Sequence, residues 1–193
     1  LDVYNDIEDY FTSYGFQAPL TISLDSKFHV FIDTYGNGSE VYGLTSGYEW
    51  PTSTTTAAYI VLRGLTDLTN LSTGVQPRAA LAHEFFHAIQ WSYNDERSGR
   101  TFMSEAGASW AGVNFSGDGG HISGSVNTFL SQPDTSLTST SGSHDYGALL
   151  YPQFISQTCG GPSTLRRIYQ SYAQGYSLST AITNGISAAG YNY

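Results

Sequence analysis

The sequence predicts an α+β fold with strands first and helices after. Three observations carry that reading. Short alternating or β-branched runs occupy residues 20–24, 28–33 and 57–62. From Pro77 the apolar period changes, and Leu81, Phe85, Ala88 and Ile89 recur at three- and four-residue spacing. Helical patterns then dominate the rest of the chain.

Taken in order, residues 4–11 read as a short amphipathic helix ending near Gly15, with Pro19 beyond it. Strands at 20–24 and 28–33 follow, and the Gly-rich stretch 35–46 reads as turn and loop. Residues 57–62 form the best strand, β-branched at its centre. Pro77 suits a first helical turn, where its missing N–H is no loss, and that helix runs to about Tyr93. A polar loop ends it at 94–100. Ser104 then serves as the cap of a second helix over 105–113. The Gly/Ser-rich stretch 116–125 and the Ser/Thr-rich stretch 131–143 read as surface loops. Helices follow at 145–158, 163–173 and 178–189, with Pro152 kinking or interrupting the first.

At 193 residues, one core or two small lobes sharing an interface can form. We read a single domain over 1–193: a sheet lobe with the principal helix at 1–93, and a helical lobe at 94–193. No apolar run approaches the length needed to span a bilayer. The net charge is -9 and Lys27 is the only lysine, so phosphate backbones would be repelled and nucleic acid is excluded as a partner. Cys159 stands alone, which rules out an internal disulfide or a cysteine zinc cluster and suggests a buried small hydrophobe near a helix end. The chain opens on Leu1, as a processed or excised chain would. Few lysines and a Ser/Thr/Gly/Asn/Tyr-rich surface favour a secreted or cell-surface protein.

The chemistry lies in His83-Glu84-Phe85-Phe86-His87. Residues four apart on a helix share a face, so both imidazoles can reach one ion, while Glu84 projects to the flank. A carboxylate there can take the proton of a metal-bound water, whose pKa zinc lowers to about 7. Catalytic zinc needs a third protein ligand and an open fourth position. The metzincin-type extension would require Gly at position 90 and His or Asp at 93, where this chain has Gln90 and Tyr93. Glu105, eighteen residues past His87, opens the second helix, far enough on for the chain to turn and return antiparallel.

His83-Glu-Phe-Phe-His87-Ala-Ile-Gln-Trp, followed by Phe102-Met-Ser-Glu105-Ala-Gly-Ala-Ser-Trp110, resembles the gluzincin class of zinc metallopeptidases. It is most similar to bacterial exported members whose glutamate helix reads Glu-x-x-Ala-x-Trp, and the similarity covers residues 57–113. The resemblance implies a zincin-like fold with a small twisted sheet, an active-site helix and a helical C-terminal half. It implies Zn2+ held by His83, His87 and Glu105, with Glu84 as general base. It also implies that the strand at 57–62 borders the cleft and pairs with an extended substrate.

The pattern is departed from at Ser109, where many gluzincins carry an aspartate that orients a zinc histidine. Asp145 and Asp95 are the candidates to replace it. For the donor that stabilises the developing oxyanion, Tyr146 is favoured, with His144 and His121 behind it. His29, alternating within a strand, reads as structural. The expected activity is endopeptidase hydrolysis of a polypeptide through a zinc-activated water. The alternatives are an inactive zincin-like polypeptide binder, a zinc amidase acting on non-peptide amides, or a structural zinc closed by His121 or His144.

Overall fold

A computed structural model of the chain describes residues 2–21, 26–33, 42–47, 57–63, 74–93 and 102–192. It is α+β, with a small sheet and mostly helical content. Helix α1 (Asp2–Ser13) is amphipathic: Ile7 and Phe11, one turn apart, are fully buried. Strands β1 (His29–Asp33), β2 (Tyr42–Gly47) and β3 (Ala58–Arg63) form one sheet in the order β1-β3-β2. β1 runs parallel to β3 and β2 antiparallel, with Val30, Ile60 and Thr45 abreast.

Side chains alternate across a strand, so Ala58, Ile60 and Leu62 of β3 point one way and are buried. Directly paired residues share a face, which puts Gly43 and Thr45 of β2 on that same inner side. The inner side packs on helix α2 (Val75–Ser92). On the other side of α2 lies helix α3 (Phe102–Ser116). The two helices run antiparallel, since Gln90 meets Ser104 while Ala79 meets Gly112. Phe85 faces α1 and the start of β1 through Tyr4, Phe11 and Phe28, whereas Phe86 packs on Phe16, Trp110 and Tyr169. Both rings are fully buried, each contributing about 1.5–3 kcal/mol of burial. They hold α2 between its two layers.

The remaining described helices are α4 (Ser123–Leu130), preceded by a 3-10 turn at Gly120–Ile122, then α5 (His144–Gly147), α6 (Leu150–Thr158), α7 (Pro162–Ala173) and α8 (Leu178–Ala188). α5 and α6 pack on α3, and α7 pairs with α8. No helix among the described residues is long and apolar enough to cross a membrane. Cys159 is buried and free at the end of α6.

Several expectations are corrected. Residues 42–46, read as loop, belong to β2, a strand held by pairing with β3 and packing on α2 rather than by its own composition. β3 is central and paired on both sides, so it offers no edge to a substrate; β1 and β2 are the outer strands of the described sheet, and β2, like β3, packs on α2. α3 starts at Phe102, and Ser104 lies fully buried inside it instead of capping it, because Phe102 and Met103 are drawn into the core. Residues 120–125, read as loop, begin the 3-10 turn and α4. The helix expected at 145–158 is two helices broken at Ala148–Leu149; Pro152 sits harmlessly in the first turn of α6. The expected strand at 20–24 lies mostly outside the described residues.

Candidate metal centre

On α2 the His83 and His87 rings lie one turn apart, with their Nε2 atoms 3.1 Å from each other. Glu105 enters from the first turn of α3, one carboxylate oxygen 3.3 Å from His83 Nε2 and the other 3.5 Å from His87 Nε2. The three residues present ligand atoms within 4.8 Å of one another, and no fourth His, Cys, Asp or Glu among the described residues joins them. A tetrahedral ion with bonds of about 2.0–2.2 Å spaces its donors about 3.3–3.5 Å apart. The three separations, 3.1, 3.3 and 3.5 Å, lie close to that spacing. Two imidazoles and a carboxylate are also a donor set that leaves one tetrahedral position open. The cluster can hold a metal.

The charges are arranged for it. Burial alone would raise the Glu105 pKa, but hydrogen bonds and charge from His83 and His87 hold it well below the ordinary carboxylate range. Burial likewise would lower His87, yet the Glu105 hydrogen bond and charge, followed by the Glu84 charge and Gln90, raise it to about 9. Glu105 is therefore a carboxylate buried against two imidazoles, the electrostatic setting a cation would take over.

Glu84 is buried at 7 % exposure and sits outside the ligand cluster, toward the sheet. The Thr45 hydroxyl, on the inner face of β2, is 2.7 Å from the Glu84 carbonyl and 2.8 Å from Glu84 Oε2, and its single proton is shared between them. A Cβ at Gly43 would fall 2.1 Å from Glu84 Cγ, so only glycine leaves room there. β2 thus shapes the compartment of the Glu84 carboxylate from outside its helix.

His87 Nδ1 lies 2.8 Å from Gln90 Oε1, within the same helix. The orienting contact expected from Asp145 or Asp95 comes from Gln90 for this ring. Asp145 is buried and accepts from the Tyr146 backbone N–H, while Asp95 lies outside the described residues. Ser109 is buried too.

Tyr146 is brought to the site: its ring stacks on His83 at 5.8 Å between centroids and 6° between planes. His121 is exposed on the 3-10 turn but near enough to His83 to feel its charge; partial desolvation first, then His83, hold it below the ordinary histidine value, with Asp118 opposing. His144 is buried and packs on Phe129 at 4.8 Å, and neither His121 nor His144 enters the ligand cluster. His29 lies in β1 beside Phe31.

Reading the sequence alone missed Thr45, Gly43 and Gln90. Gln90 carried a signal, its three-residue spacing from His87 on one helix face. The two β2 residues carried none, since only the sheet's pairing aims them at Glu84. Compared with known proteins, the chain matches no family model, no curated protein and no solved structure.

Proposed function

We propose that this protein is a zinc-dependent endopeptidase of the gluzincin type with a zincin-like fold. The observation that carries the reading is the convergence of His83, His87 and Glu105 on one point, with the Glu84 carboxylate held separately beside it by Thr45. His83, His87 and Glu105 would hold the ion. Zinc, when bound, supplies Lewis acidity that makes water nucleophilic near neutral pH and polarises a carbonyl.

The rest belongs to the chain's own groups. Glu84 accepts the proton of the attacking water and returns it to the leaving amine nitrogen. Tyr146, stacked on His83, offers its hydroxyl to the developing oxyanion. An extended polypeptide would lie along the outer edge of β2, where backbone N–H and C=O groups can pair with it regardless of sequence.

The test is cleavage of a mixed peptide library, read by mass spectrometry, for the wild type beside Glu84→Gln. Cuts made by the wild type and lost in the variant, with zinc bound by both, are expected. Turnover by Glu84→Gln near the wild-type rate would remove Glu84 from the role. No cuts by either, with zinc bound in both, would turn the reading toward a non-peptide amidase or a polypeptide binder.

A further inference from the structure

Gln90 is fully buried on α2, three residues past His87, and takes no part in the proposed chemical steps. Its carboxamide has every polar atom engaged. Nε2 donates to the Ser104 carbonyl at 2.9 Å and to the Tyr169 hydroxyl at 3.0 Å, with the Met103 carbonyl at 3.4 Å. Tyr169 in turn donates to the Met103 carbonyl at 3.1 Å. A carbonyl can only accept, so the Ser104 oxygen fixes which way the amide faces. The NH2 group must point to α3, and Oε1 must point to His87.

The consequence reaches the ligand. Oε1 is an acceptor 2.8 Å from His87 Nδ1, so that nitrogen carries the proton. In the neutral ring it is then the Nε2 lone pair that faces His83 and Glu105. Ser104 is also the chain neighbour of Glu105, so the same amide links the helix bearing two ligands to the backbone beside the third. The space around it is full: a Cβ at Gly107 would lie 2.2 Å from the Tyr169 hydroxyl and 3.0 Å from Gln90 Nε2.

We propose that Gln90, braced by Tyr169 and the Met103 and Ser104 carbonyls, is the positioning residue of the metal centre, locking the tautomer and rotation of His87 and setting α2 against α3. The inference rests on the metal-binding reading under Proposed function.

The experiment compares wild type, Gln90→Met, Gln90→Glu and Tyr169→Phe. Zinc affinity is measured by competition with a chromophoric chelator, and the His87 ring nitrogens are followed by 1H–15N spectroscopy. Gln90→Met keeps the volume but removes the acceptor, and zinc affinity should fall about 10–100-fold, as for other lost partners of ligating histidines. The Nδ1–H signal, sheltered from exchange in zinc-loaded wild type, should be lost from that variant. Gln90→Glu restores the acceptor for His87 but sets a carboxylate oxygen against the Met103 and Ser104 carbonyls, so it should recover only part of the affinity. Tyr169→Phe leaves the His87 contact and should lose less than Gln90→Met.

A folded Gln90→Met with wild-type zinc affinity would overturn the proposal. So would a spectrum of the metal-free wild type, taken at a pH where His87 is neutral, in which its proton sits on Nε2, a readout that holds even if Gln90→Met fails to fold. Wild type that binds no zinc, yet shows the Nδ1–H tautomer, would overturn the metal reading and leave the Gln90 contact standing.

Discussion

His83, Glu84, His87 and Glu105 were readable as a set because the features that join the first three are local. A helix repeats its face every three to four residues whatever surrounds it, so the motif's spacing already places the two rings together. Tyr146 is one of fifteen tyrosines with no local pattern to mark it, and its place on the His83 ring depends on α5 packing against α3. On the proposed reading, Tyr146→Phe should keep the stacked ring and zinc affinity while lowering kcat about 10²–10³-fold, the usual cost of an oxyanion donor. Steady-state kinetics beside a zinc titration would check it; an unchanged kcat would pass the role to another donor. Gln90 shows the opposite case. Its spacing from His87 was visible, but the direction of its amide is set by Ser104 and Tyr169 on two other helices.

At the scale of elements, the helices and the strands expected at 28–33 and 57–62 were legible, and β2 was not. α2, α7 and α8 fall within two residues of their expected bounds because periodicity and Pro or Gly punctuation are local signals. β2 was hidden in a Gly-rich run. Its inner face reads Gly43, Thr45, Gly47, a pattern with no intrinsic strand preference. What makes it a strand is β3 on one side and the need to leave room for Glu84 above it. Gly43→Ala should therefore act on Glu84, since the new methyl would meet its Cγ, Cδ and Oε1 at 2.1, 2.8 and 2.9 Å. Displacement of a catalytic carboxylate by about 1 Å can cost about 10²-fold in rate. On the proposed reading, turnover should fall by that order while the zinc affinity of the three ligands is retained. Loss of zinc affinity together with turnover would instead mean that β2 supports the whole cluster.

For the whole molecule, the cluster links stability to pH and to metal. Glu105 has a folded pKa below its ordinary 4.5, so its contribution is complete above 4.5 and is lost as pH falls from there through the depressed folded value. His87 has a folded pKa raised from 6.5 to about 9, so its contribution is complete below 6.5 and is lost as pH climbs toward about 9. The metal-free protein should gain most from this cluster between 4.5 and 6.5. A metal ligand must be neutral at its donor nitrogen, so zinc competes with the His87 proton, and the rise in Tm on adding zinc should grow from 6.5 to about 9. Thermal melts with and without chelator across that interval would show it. A zinc-induced shift that is flat with pH would mean that His87 is not deprotonated on binding.

The sequence by itself determined the α+β class, the principal helix and the four residues of the candidate site, because these follow from periodicity, helix spacing and the chemistry of imidazole and carboxylate. Tertiary structure alone decided which strand borders α2, how Glu84 is confined by Gly43 and Thr45, and which group orients His87. The contacts that set Thr45 on Glu84 and brace the Gln90 amide join positions 13 to 79 residues apart. Strand pairing and buried amide networks are selected by the whole core, so no local pattern announces them.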